Sequence, residues 1–155
     1  MALFRSAVSS PVGTWVVEGD ESAVTKIFMP HEPTTASDGV APHAIKVATD
    51  QLTEYFARQR QQFDVTLAHV AATQFQRDVW DALVDIPYGE VRTYGDVASA
   101  VGRPRAVRAV GNANHVNPWP VLVPCHRVVG AGGLGGYGGG PDVKLFLLDL
   151  EGVRL

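Results

Sequence analysis

Residues 73–114, TQFQRDVWDALVDIPYGEVRTYGDVASAVGRPRAVRAVGNAN, decide the architecture of this chain. Phe75, Val79, Trp80 and Leu83 recur at helical spacing behind Thr73, a residue type that caps helix N-termini, and predict a helix that stops before Pro87. Tyr88-Gly89-Glu90 reads as a turn. Thr93 with Asp96 three residues on has the form of a capping box, Asp replacing the usual Glu or Gln, and opens a short helix from Tyr94 to Val101. Gly102-Arg103-Pro104 breaks that helix, and a second is predicted from about Arg105 to Asn114. Two short helices joined by a Gly-containing turn have the outline of a helix-turn-helix. The same outline describes many ordinary helix pairs, so by itself it does not assign DNA binding.

Upstream, Leu3–Val8, Trp15–Glu18 and Val24–Met29 are short apolar or β-branched runs punctuated by Ser10-Pro11, Gly13 and Gly19-Asp20, and are predicted as strands. Residues 30–42 read as a loop. Ile45, Ala48, Leu52, Tyr55 and Phe56 predict an amphipathic helix to about Arg58, and Phe63–Leu67 a short edge strand. Apolar content dips around Ala71–Thr73, which places a domain boundary near 70. Downstream, Val121-Leu122-Val123 reads as a strand leading into Pro124-Cys125-His126-Arg127-Val128. Residues 130–140 (GAGGLGGYGGG) hold eight of the sixteen glycines, and a last helix carries Val143, Phe146, Leu147 and Leu150 with Glu151 near its end. The expected class is α/β in an α+β arrangement: a sheet-plus-helix domain over 1–70, then a mainly helical domain over 71–155.

The 155 residues are 46% hydrophobic and 19% charged, a globular composition, and carry a net charge of −3. One cysteine excludes an internal disulfide and a multi-cysteine zinc site and fits a reducing, cytoplasmic compartment. The N-terminal residues show no signal-peptide pattern, and no apolar run approaches the length of a membrane span. The acidic total argues against a general polyanion binder, but it is an average. Residues 1–85 carry 6 basic and 11 acidic side chains, whereas 86–155 carry 7 and 5. Between Asp96 and Asp142 there is no carboxylate, while Arg103, Arg105, Arg108 and Arg127 all lie there. Such a stretch can present a basic face within an acidic chain.

Cys125 is the one thiol, and its thiolate would be a strong nucleophile if a base or a positive field lowered its pKa. Equally, an unreactive cysteine packs as a small buried hydrophobe. On a regular strand His126 would face away from Cys125, so a bend or a bridging water is needed to couple them. A carboxylate such as Glu151 would fix the tautomer of His126, or would simply be solvated at a helix end. The glycine run lacks a phosphate-loop pattern; it reads either as backbone that approaches a ligand closely, with Tyr137 as its one large side chain, or as a linker. His31, His43 and His69 lack metal-ligand spacing.

At Pro124-Cys125-His126-Arg127-Val128 the chain resembles the O6-alkylguanine-DNA alkyltransferase family. Phe75-Gln76-x-x-Val79-Trp80, Ile86-Pro87-Tyr88-Gly89-Glu90-Val91, Thr93-Tyr94, Arg108-Ala109-Val110-Gly111, Asn117-Pro118 and Gly136-Tyr137 fall in the family's order and spacing. The resemblance is strong over about 73–155 and general over 1–70. It implies direct-reversal DNA repair: a damaged guanine is flipped from the duplex and its O6-alkyl group passes irreversibly to the cysteine, once per molecule and without a cofactor. O4-alkylthymine is a further substrate to consider. Position by position, Cys125 matches the acceptor and His126 the imidazole that activates it through a bridging water. Glu151 matches the carboxylate that orients that imidazole, and Asn117 the hinge asparagine. Tyr94 matches the tyrosine that donates toward guanine N3, and Arg108 the arginine that fills the space left by the extruded base. Tyr137 and the Gly138 backbone match the lid, and the Val128 carbonyl an acceptor for the exocyclic amine. Asn114 joins them in the expected base pocket. Thr93, Tyr94, Ala106, Arg108, Ala109 and Gly111 are expected at the DNA, where small residues, Ala113 also among them, would let the recognition helix approach the minor groove.

The expected partner is therefore double-stranded DNA carrying O6-alkylguanine, bound with modest, salt-sensitive affinity. No membrane and no obligate protein partner is expected; the protein would be a monomer in solution, with cooperative assembly on DNA left open. The pattern departs from the family in four respects. Val116 stands where glycine usually precedes the hinge asparagine, predicting a differently shaped turn, because a β-branched residue tolerates positive φ poorly. Gly138 replaces a serine of some members, and the glycine-rich loop is expected to be mobile until DNA binds. No cysteine in the first domain means that the zinc site of some relatives is absent. Three rivals remain at this stage: an alkyltransferase-like lesion binder, whose members replace the cysteine; a regulator using the helix pair alone, which leaves Pro124–Arg127, Tyr94 and Glu151 unexplained; and a Cys-His hydrolase, for which no oxyanion arrangement is visible.

Overall fold

A computed structural model describes residues 3–155, which divide into two compact units on either side of the Val70–Ala71 bond. In the first, strands β1 (Phe4–Ser10), β2 (Gly13–Gly19) and β3 (Val24–Phe28) form an antiparallel meander in the order β1-β2-β3, with Val8 opposite Trp15 and Val17 opposite Ile27. Helix α1 (His43–Phe56) buries Ile45, Ala48, Leu52 and Tyr55 in the same core as Trp15, Val17, Val24 and Ile27. The rings of Trp15 and Phe56 meet at 5.5 Å. The edge strand predicted over 63–67 does not form. Gln51 takes both backbone groups of Asp64 with its carboxamide, leaving only the Thr66 carbonyl and the Ala68 amide to bridge to Val24.

The second unit holds helices α2 (Gln74–Val84), α3 (Tyr94–Ala100), α4 (Val107–His115) and α5 (Pro141–Leu150). Thr73 and Thr93 both form complete capping boxes, with Gln76 and Asp96 answering the cap backbone, so a short Asp serves as well as Glu here. Strand β4 (Arg92–Thr93) runs directly into α3 and pairs in parallel with β5 (Val128–Val129). That two-rung ladder sets the first turn of α3 beside the loop that follows β5. Trp80 on α2 donates to the Ala113 carbonyl of α4 at 2.9 Å and packs edge-on against Trp119, fixing α4 and the loop after it to one support.

One reading of this unit is corrected. Residues 121–123 are not a strand, and Cys125–Arg127 is one turn of 3-10 helix. Pro118, Pro120 and Pro124 remove ladder donors on both sides of the valines, which outweighs their β propensity. The turn after α4 has Val116 at φ −93°, in keeping with its poor tolerance of positive φ, and the left-handed residue of this loop is the buried Val121 at φ 75°. No helix of the described residues is long and apolar enough to cross a membrane.

Candidate active site

The 3-10 turn puts Cys125, His126 and Arg127 on consecutive corners of one bend, all buried. Glu151, the cap of α5, reaches this turn from the far end of the chain segment. Its Oε2 lies 2.6 Å from His126 Nε2, and Arg127 donates to both of its oxygens, Nε to Oε1 at 2.8 Å and a terminal nitrogen to Oε2 at 3.1 Å. The Gly89 amide adds a bond to Oε1 at 3.1 Å. Arg127 is completed by the Ile86 carbonyl at 2.7 Å and by the face of Tyr88. Ile86-Pro87-Tyr88-Gly89 is thus the wall against which the His–Glu–Arg cluster is built. Gly89 is required there: its φ is +79°, and a Cβ would meet the Glu151 backbone carbonyl at 3.2 Å.

The electrostatics follow from this wiring. Burial pushes the Glu151 carboxyl up, but the hydrogen bonds and charges of His126 and Arg127 override it and hold it far below the usual carboxylate range. Burial pulls His126 down against the opposing pull of Glu151, so its imidazole rests neutral. With Nε2–H donated to a fixed carboxylate, the lone pair stands on Nδ1, which is buried and has no hydrogen-bond partner in the protein. Burial also pushes the Cys125 thiol up, while Asn117 and Tyr137 side chains and the Lys144 charge pull it back. A buried thiol and, on the next residue, a neutral imidazole with an unpartnered Nδ1 supply a proton donor and an acceptor that a direct contact or a bridging water would couple. On the acid side, activity should therefore persist through the ordinary histidine range near 6.5 and fall only below it, since protonating Nδ1 removes the acceptor. A pH–rate profile whose acid limb lies above that value contradicts a neutral resting His126.

The remaining expected residues fall around this centre. Asn117 spans its loop, donating to the Val123 carbonyl at 2.8 Å and accepting from the Trp119 amide at 3.0 Å. Asn114 is buried and donates to the Cys125 carbonyl at 3.2 Å, while its Oδ1 has no hydrogen-bond partner. Tyr94 donates to the Gly136 carbonyl at 3.3 Å; burial raises its pKa, keeping the hydroxyl protonated. Gly135, at φ +76°, has room for no side chain, because a Cβ would lie 2.9 Å from the Tyr94 ring and hydroxyl. The glycine loop is thus packed onto Tyr94 through Gly135 and Gly136, with Tyr137 and Gly138 half-buried beside it.

On α4, Arg108 and Ala109 are exposed, and nothing lies within 4 Å of where a Gly111 side chain would stand. Ala106 is half-buried at the helix start, as is Thr93 at the start of α3. Ala113 faces inward and is corrected to the core. Arg127 is also removed from the basic face, since its charge is buried against Glu151; Arg103, Arg105 and Arg108 stay exposed. Sequence reasoning missed two residues: Arg127 as the partner of Glu151, and Lys144, fully buried and bonded to the Val128 carbonyl at 2.6 Å. Among the described residues, no group of His, Cys, Asp or Glu side chains could hold a metal ion.

Residues 74–153 match the family model described as the DNA-binding domain of 6-O-methylguanine DNA methyltransferase. The methylated-DNA–protein-cysteine methyltransferase of Mycobacterium tuberculosis is 46% identical over 151 residues, covering 95% of this chain and 91% of its own. The chain belongs to the methylated-DNA–protein-cysteine methyltransferase family. The Methanosarcina acetivorans relative is 44% identical across 97% of this chain and 99% of its own length. The crystal structure of the Mycobacterium tuberculosis O6-methylguanine methyltransferase superposes with a TM-score of 0.85 at 43% identity, covering 97% of this chain and 93% of that one. The structure of the mycobacterial OGT in complex with DNA superposes at 0.84 with 45% identity, covering 96% and 92%. Methyltransferases of this family thus share both the fold and the extent of this chain.

Proposed function

We propose that this protein repairs DNA by direct reversal, moving the O6-alkyl group of a flipped-out guanine onto Cys125 in a single irreversible step. The observation that carries the reading is the wired centre: a sole cysteine, a neutral imidazole with Nδ1 free, and a carboxylate held ionised by Arg127. His126 takes the thiol proton at Nδ1, directly or through a bridging water, and Glu151 stabilises the resulting imidazolium. The thiolate attacks the alkyl carbon, a C–S bond forms, and the O6–C bond breaks. The electron pair goes to the guanine, which takes a proton at ring N3 from Tyr94, and the Tyr94 phenolate is reprotonated through water as the His126 imidazolium gives up the thiol's proton. Placing the carbon in line with sulfur is the pocket's main task.

DNA is the macromolecular partner. In this reading it meets α3 and α4 on its minor-groove side, where reading is tolerant of sequence, with Thr93, Ala106, Ala109 and Gly111 at the surface and Arg108 entering the stack. Asn117 holds the loop between α4 and the cysteine turn. Tyr137 and Gly138 cover the base, and the Val128 carbonyl receives its exocyclic amine. The protein works as a monomer, in the reducing cytoplasm that a thiol reagent requires, and needs neither cofactor nor metal.

Mixed with excess duplex containing O6-methylguanine, the protein should clear one equivalent of lesion and stop. Continued turnover would instead indicate a Cys-His hydrolase. Tight lesion binding with no loss of the methyl group would indicate a recognition protein.

A further inference from the structure

Among the described residues, Lys144 is the one centre-facing cation that neither the sequence pattern nor the proposed chemistry uses. It sits on α5 between Val143 and the core residue Leu147 and is wholly inaccessible. A buried ammonium is costly unless its donors are matched. Lys144 Nζ donates to the Val128 carbonyl at the end of β5 at 2.6 Å, and to the Gly136 carbonyl of the glycine loop at 3.1 Å. The two carbonyls belong to opposite sides of the expected base pocket, and Gly136 is also the acceptor of Tyr94. One side chain therefore ties the loop to β5.

We propose that Lys144 is a positioning residue that latches the base pocket: its ammonium closes the glycine loop onto β5, and the flipped guanine opens the latch by engaging the Val128 carbonyl with its exocyclic amine. The inference rests on the base-pocket reading above. In the resting structure the acceptor for that amine is already bonded to Lys144, so the base must share or displace this bond while the Gly136 bond retains the loop. A base with the amine meets the carbonyl; one without it leaves Lys144 in place. The latch thus makes pocket opening depend on guanine. Burial pushes the Lys144 pKa down to about 8, and its remaining charge also steadies the Cys125 thiolate.

The test is a coupling measurement. Alkyl-transfer rates are compared for duplexes carrying O6-methylguanine and O6-methylhypoxanthine, which lacks the exocyclic amine, using the wild-type protein, Lys144→Met and Lys144→Arg. Removing the ammonium removes the bond that only the amine-bearing base can displace, so discrimination between the two lesions should narrow about threefold or more in Lys144→Met. Lys144→Arg, which keeps two or more donors, should lie near wild type. A lesion ratio that is the same in wild type and Lys144→Met overturns the latch while leaving the pocket intact. Equal rates for both lesions in wild type refute the base-pocket reading itself, and the latch with it. If Lys144→Met fails to fold, Cys125→Ser bound to each duplex supplies the readout. The Lys144 side-chain ammonium signal in nuclear magnetic resonance should move with the guanine lesion and not with the hypoxanthine one; identical signals in both complexes overturn the proposal.

Discussion

Glu151→Gln should cost the protein both its activity and a large part of its stability. The carboxylate accepts from His126, twice from Arg127 and once from Gly89, and the His126 and Arg127 bonds lie in the interior. The amide accepts with one oxygen only, and its nitrogen confronts the Arg127 guanidinium. Removing one partner of a buried pair leaves an uncompensated charge and typically costs about 3–5 kcal/mol. That is a large fraction of a domain's stability, so a markedly lower melting temperature is expected. Alkyl transfer should fall further than the folded fraction does, because His126 loses the charge that stabilises its imidazolium. The pH dependence distinguishes this from general damage. A carboxylate held below its ordinary pKa contributes stability that is fully present above the unfolded value near 4.3 and is lost as pH falls through the folded value. Wild type should therefore lose stability on acidification below about pH 4.3, and Glu151→Gln should show a flatter curve there. Thermal melts of both proteins from neutral pH downward are the measurement. Parallel curves would mean that Glu151 is not held ionised by this cluster.

Arg108→Ala should separate flipping from chemistry. Arg108 is exposed on α4, in the carboxylate-free stretch, and takes no part in the Cys125–His126–Glu151 wiring. Extruding a paired base costs a few kcal/mol, which an inserted side chain offsets. Its loss should lower the repair of duplex O6-methylguanine by about ten- to a hundredfold, since each 1.4 kcal/mol is a factor of ten. Reaction with free O6-benzylguanine, which needs no flipping, should change little. Equal losses on both substrates would remove Arg108 from the flipping role.

How much was legible beforehand differs from element to element for physical reasons. The caps at Thr73 and Thr93 are local, depending on three neighbouring residues, and could be read directly. The cysteine turn could not, because valine's preference for strands competes with prolines that deny the ladder its donors, and the prolines prevail. The left-handed residue of the same loop, Val121, was not legible, because nothing local marks that position. Cys125 and His126 stand adjacent in the chain, but Glu151 joins them across 25 residues through the fold, so its pairing was legible only by family resemblance. Arg127 was misjudged as surface charge because its neutralising partner is equally distant. Lys144 was invisible for a different reason. A lysine in an amphipathic helix ordinarily extends to water, and only the two inward carbonyls, at the end of β5 and in the glycine loop, explain why this one does not.

The central claim is that Cys125 is the stoichiometric acceptor, and the chain's single thiol makes it directly testable. After incubation with duplex O6-methylguanine, the peptide containing Cys125 is isolated and weighed. The account predicts the added mass of one methylene on that peptide, in at most one equivalent per protein, and none in Cys125→Ser. Demethylated DNA beside an unmodified Cys125 peptide, or methyl transfer that survives in Cys125→Ser, would contradict it.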